Sequence, residues 1–75
     1  MPRLPRISSR DVIRVLTALG FEKVRQTGSH VVMQKKSENQ TIGCVVPMHR
    51  ELKLGTLNSI LKQAQVTVDE LIDRL

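Results

Sequence analysis

Thr27-Gly28-Ser29-His30-Val31-Val32-Met33 is the stretch that decides how this chain folds. Glycine tolerates the positive φ that a tight hairpin connection needs. The apolar run behind it reads as a strand, so His30 falls at a turn-to-strand junction. A side chain there can be held firmly by the ladder and still be reached by a ligand. Histidine is also the residue type that gives and takes protons near neutrality. Two readings stay open from this stretch alone. Either His30 merely opens a strand, or it is a proton-transfer group on a rigid turn.

Working outward, residues 21–26 predict a strand before the turn and residues 30–35 a strand after it. Residues 36–39 are a polar connection. Residues 40–46 predict a third strand, stopped by Pro47, which has no N–H for a ladder. Ile42, Cys44 and Val46 alternate and are expected to point inward, with Cys44 a small hydrophobe rather than a reactive thiol. The second strand is apolar on both faces. The expectation here is Val32 inward, with Val31 and Met33 on the open face, where apolar groups suggest a partner surface.

Helical patterns flank the three strands. Ser8 or Ser9 caps the first, with Asp11 three residues after Ser8 as an acidic capping box. Val12, Ile13, Leu16 and Leu19 then form one stripe, and Gly20 ends the helix. Leu54, Leu57, Ile60, Leu61 and Ala64 form a second stripe beginning near residues 54–56. Thr67 with Glu70 is a capping box that opens a last short helix. The order predicts an α+β domain, α-β-β-β-α plus a terminal helical turn, with one antiparallel sheet under two helices.

Seventy-five residues allow a single domain, 1–75, with a small core and no deep cofactor pocket. Residues 1–7, in which Pro2 and Pro5 alternate with Arg3 and Arg6, read as a basic extended arm ahead of a folded part from residue 8 to residue 75. One cysteine excludes an intramolecular disulfide, which fits a reducing cytoplasm. No apolar run is long enough for a membrane span, so no membrane association is expected. The net charge is +5 and lopsided: residues 1–36 hold eight Lys and Arg against two carboxylates, residues 37–75 four against five. A basic half of that kind attracts polyanions by releasing their counterions. Phe21 is the only aromatic residue, so base stacking cannot be the main device for holding a nucleic acid.

Several pieces resemble the HicA toxins of type II toxin–antitoxin pairs. They are Leu19-Gly20-Phe21, Arg25-Gln26-x-Gly28-Ser29-His30, Val46-Pro47-x-His49, and the run from Leu52-Lys53-x-Gly55-Thr56-Leu57 through Ile60-Leu61-Lys62-x-Ala64. They come in order and at the right spacing over nearly the whole chain after the arm. The resemblance implies a fold similar to the double-stranded-RNA-binding domain. It further implies a ribonuclease acting on single-stranded messenger RNA, and a HicB-type antitoxin that occludes the site. The position matching the family's catalytic histidine is His30. Two departures stand out: Gln65 replaces the usual glycine after the second helix, and no aromatic opens the second strand.

Metal-free RNA cleavage needs the 2′-hydroxyl to lose a proton as it attacks the adjacent phosphate, and the 5′-oxygen to gain one. His30 is the expected acid/base. Gly28 and Ser29 position it, and Lys23, Arg25 and Lys35 on the flanking strands are the expected phosphate contacts. His49 is either a second proton carrier or a residue that only orders the loop after Pro47. His30, Cys44 and His49 lack a recognisable zinc spacing, and no acidic cluster suggests magnesium, so no metal or other cofactor is expected. The alternative is a non-catalytic RNA-binding or protein-interaction module. A double-stranded-RNA binder carries a lysine cluster at the start of its second helix, where this chain has only Lys53.

Overall fold

The capping box at Ser8 forms as the spacing predicts. In the computed structural model, which describes residues 6–75, the Ser8 hydroxyl accepts the Asp11 backbone N–H, and the Asp11 carboxylate accepts the Ser8 N–H. The Ser8 N–H, and after it the Ser8 hydroxyl donating to the same carboxylate, hold the Asp11 carboxyl below its ordinary range. Helix α1 (Ser9–Ala18) follows and buries Val12, Val15 and Leu16.

Gly20, at φ +100°, ends this helix. Phe21 N–H reaches Leu16 O at 2.9 Å and Gly20 N–H reaches Thr17 O at 3.1 Å, the paired bonds of a Schellman motif. Phe21 and Leu16 are both buried, which supplies the apolar contact that accompanies such an ending. Helix α2 (Leu54–Ala64) ends with the same two bonds, Val66 to Leu61 at 2.9 Å and Gln65 to Lys62 at 3.2 Å. Here the left-handed residue is Gln65, at φ 57°. A side chain in that conformation costs about 1–2 kcal/mol. The helix keeps the ending without the glycine that makes it easy.

Between the helices lie β1 (Glu22–Thr27), β2 (His30–Lys36) and β3 (Thr41–Pro47), an antiparallel sheet with β2 in the centre. Thr27 pairs with His30, leaving Gly28 and Ser29 as a two-residue turn. Gly28 has φ +55°, the sign that the first position of a type II′ hairpin turn requires. β1 carries a bulge between Lys23 and Arg25, and the extra Val24 is 48% exposed.

The register corrects one expectation. Val31 faces Val46 and Met33 faces Cys44, and residues directly opposite share a face. Val31 and Met33 are therefore core residues, each 1% exposed, while Val32 pairs with Val45 on the open face and stays partly exposed. Val31-Val32-Met33 carries no alternation of its own, so its orientation is inherited from its partner. In β3 the inward set is as expected, with Cys44 and Val46 buried and Ile42 packed against them. Burial pushes the Cys44 thiol up to about 11, so it stays a neutral hydrophobe.

The helices pack on one face of this sheet in the α+β order of a double-stranded-RNA-binding domain, α2 lying chiefly against β3. Leu57, Ile60 and Leu61 of α2 are buried there. Helix α3 (Val68–Asp73) starts from the Thr67–Glu70 capping box and adds Leu71 to the core. Residues 1–5 of the expected arm lie outside the described residues. Ile7, placed in that arm from sequence, belongs to the core: it is 6% exposed, and its carbonyl accepts the Leu52 N–H at 2.9 Å.

Candidate active site at the first hairpin

Each neighbour of His30 is fixed by the backbone. It pairs with Thr27 on one side and Pro47 on the other, at the end of the central strand. The carbonyl of Ser29 accepts the Met48 N–H at 2.7 Å, tying the hairpin turn to the chain leaving β3. The imidazole is nevertheless exposed, with the Ser29 hydroxyl 3.5 Å from its Nδ1. A rigid backbone thus presents a solvent-facing imidazole.

A cleft of about 360 Å³ opens beside it. Val45 and Pro47 form the sheet wall, and Gly55, Thr56, Ser59, Ile60 and Gln63 of α2 form the facing wall. Gln63 bridges the two walls. Its Oε1 accepts the Val45 N–H at 3.1 Å, satisfying a donor that the edge strand would leave open, and its Nε2 donates to Ser59 Oγ at 3.2 Å. The Ser59 hydroxyl is thereby held at the cleft, which pairs the polar side chains of Thr56, Ser59 and Gln63 with the apolar Val45, Pro47 and Ile60.

The three basic residues expected around His30 separate. Arg25 pairs with Val32, which puts it on the open face with His30, one diagonal step away at about 7–8 Å between backbones. Lys23 pairs with Met33 and so belongs to the opposite face. Lys35 pairs with Ile42 near the far end of β2, about 17 Å along the strand, and its side chain lies against Gly20. Only Arg25 is brought to the histidine.

His49 sits in the segment after β3, whose course is set by a buried serine. Ser9, 1% exposed, receives the His49 N–H on its hydroxyl at 2.7 Å, and its own N–H reaches the His49 carbonyl at 3.0 Å. The same hydroxyl donates to the Pro47 carbonyl. The His49 imidazole is exposed and lines a second, larger cavity with Arg10 and Arg50. Cys44 lies on the covered face and His30 on the open one, so these two do not converge.

Sequence reasoning missed Thr56, Ser59 and Gln63 as cleft residues, and Ser9 as the clamp on the His49 loop. A signal for the first set was present. Thr56, Ser59 and Gln63 recur at three and four residues along α2, a polar stripe beside its apolar one. Nothing in the sequence signals the pairing of Ser9 with a residue forty positions on.

The family model for the HicA toxin of bacterial toxin-antitoxin matches residues 9–66. That span runs from the buried Ser9 to just past the end of α2 and contains both histidines. No curated protein matches the chain.

Proposed function

The chain belongs to the HicA toxins of bacterial toxin–antitoxin systems, and from that premise we propose that it is a metal-independent endoribonuclease that cleaves messenger RNA with His30 as acid/base. A toxin of this kind has an antitoxin partner. We take that partner to be of the HicB type, covering the cleft beside His30.

One observation carries the catalytic reading. His30 is an exposed imidazole on a backbone pinned from three directions, beside a cleft that Thr56, Ser59 and Gln63 also line, with Arg25 on its own face. In the proposed reaction the RNA 2′-oxygen attacks the neighbouring phosphorus as its proton is withdrawn. The bond to the 5′-oxygen breaks, and that oxygen takes up a proton, leaving a 2′,3′-cyclic phosphate on one fragment. His30 serves at one of those proton transfers, a contribution of roughly 10²–10⁴ in rate. Arg25 neutralises the phosphorane as its charge grows. Gly28 allows the turn, and Ser29 both fixes it through its carbonyl and offers a hydroxyl to a phosphate oxygen. Lys23 and Lys35 would meet RNA only away from the scissile phosphate.

The test is to incubate the purified chain with single-stranded RNA in the presence of EDTA. Cleavage with a cyclic-phosphate end supports the proposal. Retention of RNA without cleavage would make the chain an RNA-binding module instead. Neither cleavage nor retention would make it a protein-interaction domain.

A further inference from the structure

The cavity beside the His49 loop has a volume of about 500 Å³ and is lined by Ser8, Arg10, Met48, His49 and Arg50. Two arginines and a histidine line this one hollow. Nearby carboxylates are engaged elsewhere: Asp11 is held by Ser8 and paired with Arg14 at 3.5 Å, and Glu51 faces Arg6 at 3.9 Å. Among the described residues neither Arg10 nor Arg50 makes an ion pair. A concave surface lined by two arginines that have no partner anion favours an anion.

The hollow is also built on fixed backbone. The Ser9 clamp holds His49, and the Leu52 N–H to Ile7 carbonyl bond at 2.9 Å closes the loop beyond Arg50. Arg10 projects from the first turn of α1, next to the clamping serine. Guanidinium groups on a fixed frame lose less freedom on binding than the same groups on a mobile loop.

The hollow adjoins the proposed active site. Pro47 lies directly across from His30, and two residues span at most about 7 Å, so the His49 backbone stands within about 12 Å of that of His30. The Ser29–Met48 bond joins the two regions directly. The hollow is therefore within reach of an RNA strand that has one phosphate at His30.

The geometry points to a second phosphate subsite for single-stranded RNA in this hollow, in which Arg10 and Arg50 grip a backbone phosphate flanking the one at His30. This rests on the ribonuclease reading and deepens it. Recognition of the phosphate alone is independent of sequence, so the subsite sets register and affinity rather than base preference.

The experiment compares the full chain with its Arg10→Ala/Arg50→Ala variant, both carrying His30→Ala so that a fluorescein-labelled single-stranded RNA survives the measurement. Both arginines are exposed, and thermal melting checks that the fold is kept. The subsite predicts roughly tenfold or greater loss of affinity. It also predicts a salt dependence shallower by about 0.7 in log–log slope for each phosphate no longer neutralised. With His30 restored, KM should rise while kcat holds, as expected for uniform binding. If the natural chain does not cleave but the variant still loses affinity and slope, the ribonuclease reading fails and the subsite stands. Unchanged affinity and slope overturn the subsite. So does a variant that keeps RNA but loses the antitoxin, since the arginines would then belong to the protein interface.

Discussion

The buried hydroxyl of Ser9 accepts the backbone N–H of His49 at 2.7 Å, across forty residues of chain, and so joins the start of α1 to the segment leaving β3. Ser9→Ala would leave that N–H and the Pro47 carbonyl short of a partner in a largely enclosed place. The expected cost is about 1–3 kcal/mol, seen as a drop in Tm of several degrees or more for a domain of this size. A Tm within a degree of the natural chain would show that water replaces the hydroxyl.

His30→Ala should reduce RNA cleavage by roughly 10²-fold or more while leaving Tm and RNA affinity nearly unchanged, because an exposed strand-opening side chain has few core contacts. The variant should also be tolerated by cells that express it without antitoxin. His49→Ala is the necessary companion. A comparable fall in rate there with KM unchanged would make His49 the second proton carrier, whereas a raised KM would place it with Arg10 and Arg50.

Gln65→Gly should stabilise the protein. Gln65 is the only described residue other than glycine with positive φ, and relieving it is worth about 1–2 kcal/mol, partly offset by the freedom glycine gains in the unfolded chain. A net gain of about 0.5–1 kcal/mol by denaturant titration is expected, with cleavage unaltered. Destabilisation would mean that the Gln65 side chain makes a contribution larger than the strain.

Two capping carboxylates predict how stability depends on acid. Ser8 lowers the pKa of Asp11 and Thr67 lowers that of Glu70, in each case mainly by backbone and then side-chain hydrogen bonds. A group that is more acidic folded than unfolded contributes fully above its unfolded value. That contribution fades as pH falls through the ordinary values of 3.8 and 4.5 and is gone below the folded ones. Stability of the natural chain should therefore decline below about pH 5, and Asp11→Asn/Glu70→Gln should flatten part of that decline. An identical acid profile in the double variant would assign acid sensitivity to other groups.

The antitoxin complex should form more slowly as salt rises, because the toxin carries net charge +5 and its partner is expected to be acidic at the rim. Stopped-flow association at several ionic strengths measures this. A rate indifferent to salt would favour contact through Val24, Val32 and Val45 on the open face alone.

Local chemistry was legible in the sequence by itself. Both capping boxes, the glycine turn and the α2 apolar stripe depend on residues within a few positions of one another, so their spacing in the chain is their spacing in space. The alternation of Ile42, Cys44 and Val46 oriented β3 for the same reason. What the tertiary structure alone decided were relations across the chain. Val31 and Met33 turned inward because register with Val46 and Cys44 outweighs an apolar run that has no period of its own. Arg25 joined His30 while Lys23 and Lys35 did not, because a bulge and a ladder assign faces that composition cannot. The walls of the His30 cleft, the Ser9 clamp and the company of Arg10 with Arg50 come from packing α1 and α2 against β3, where residues forty positions apart become neighbours.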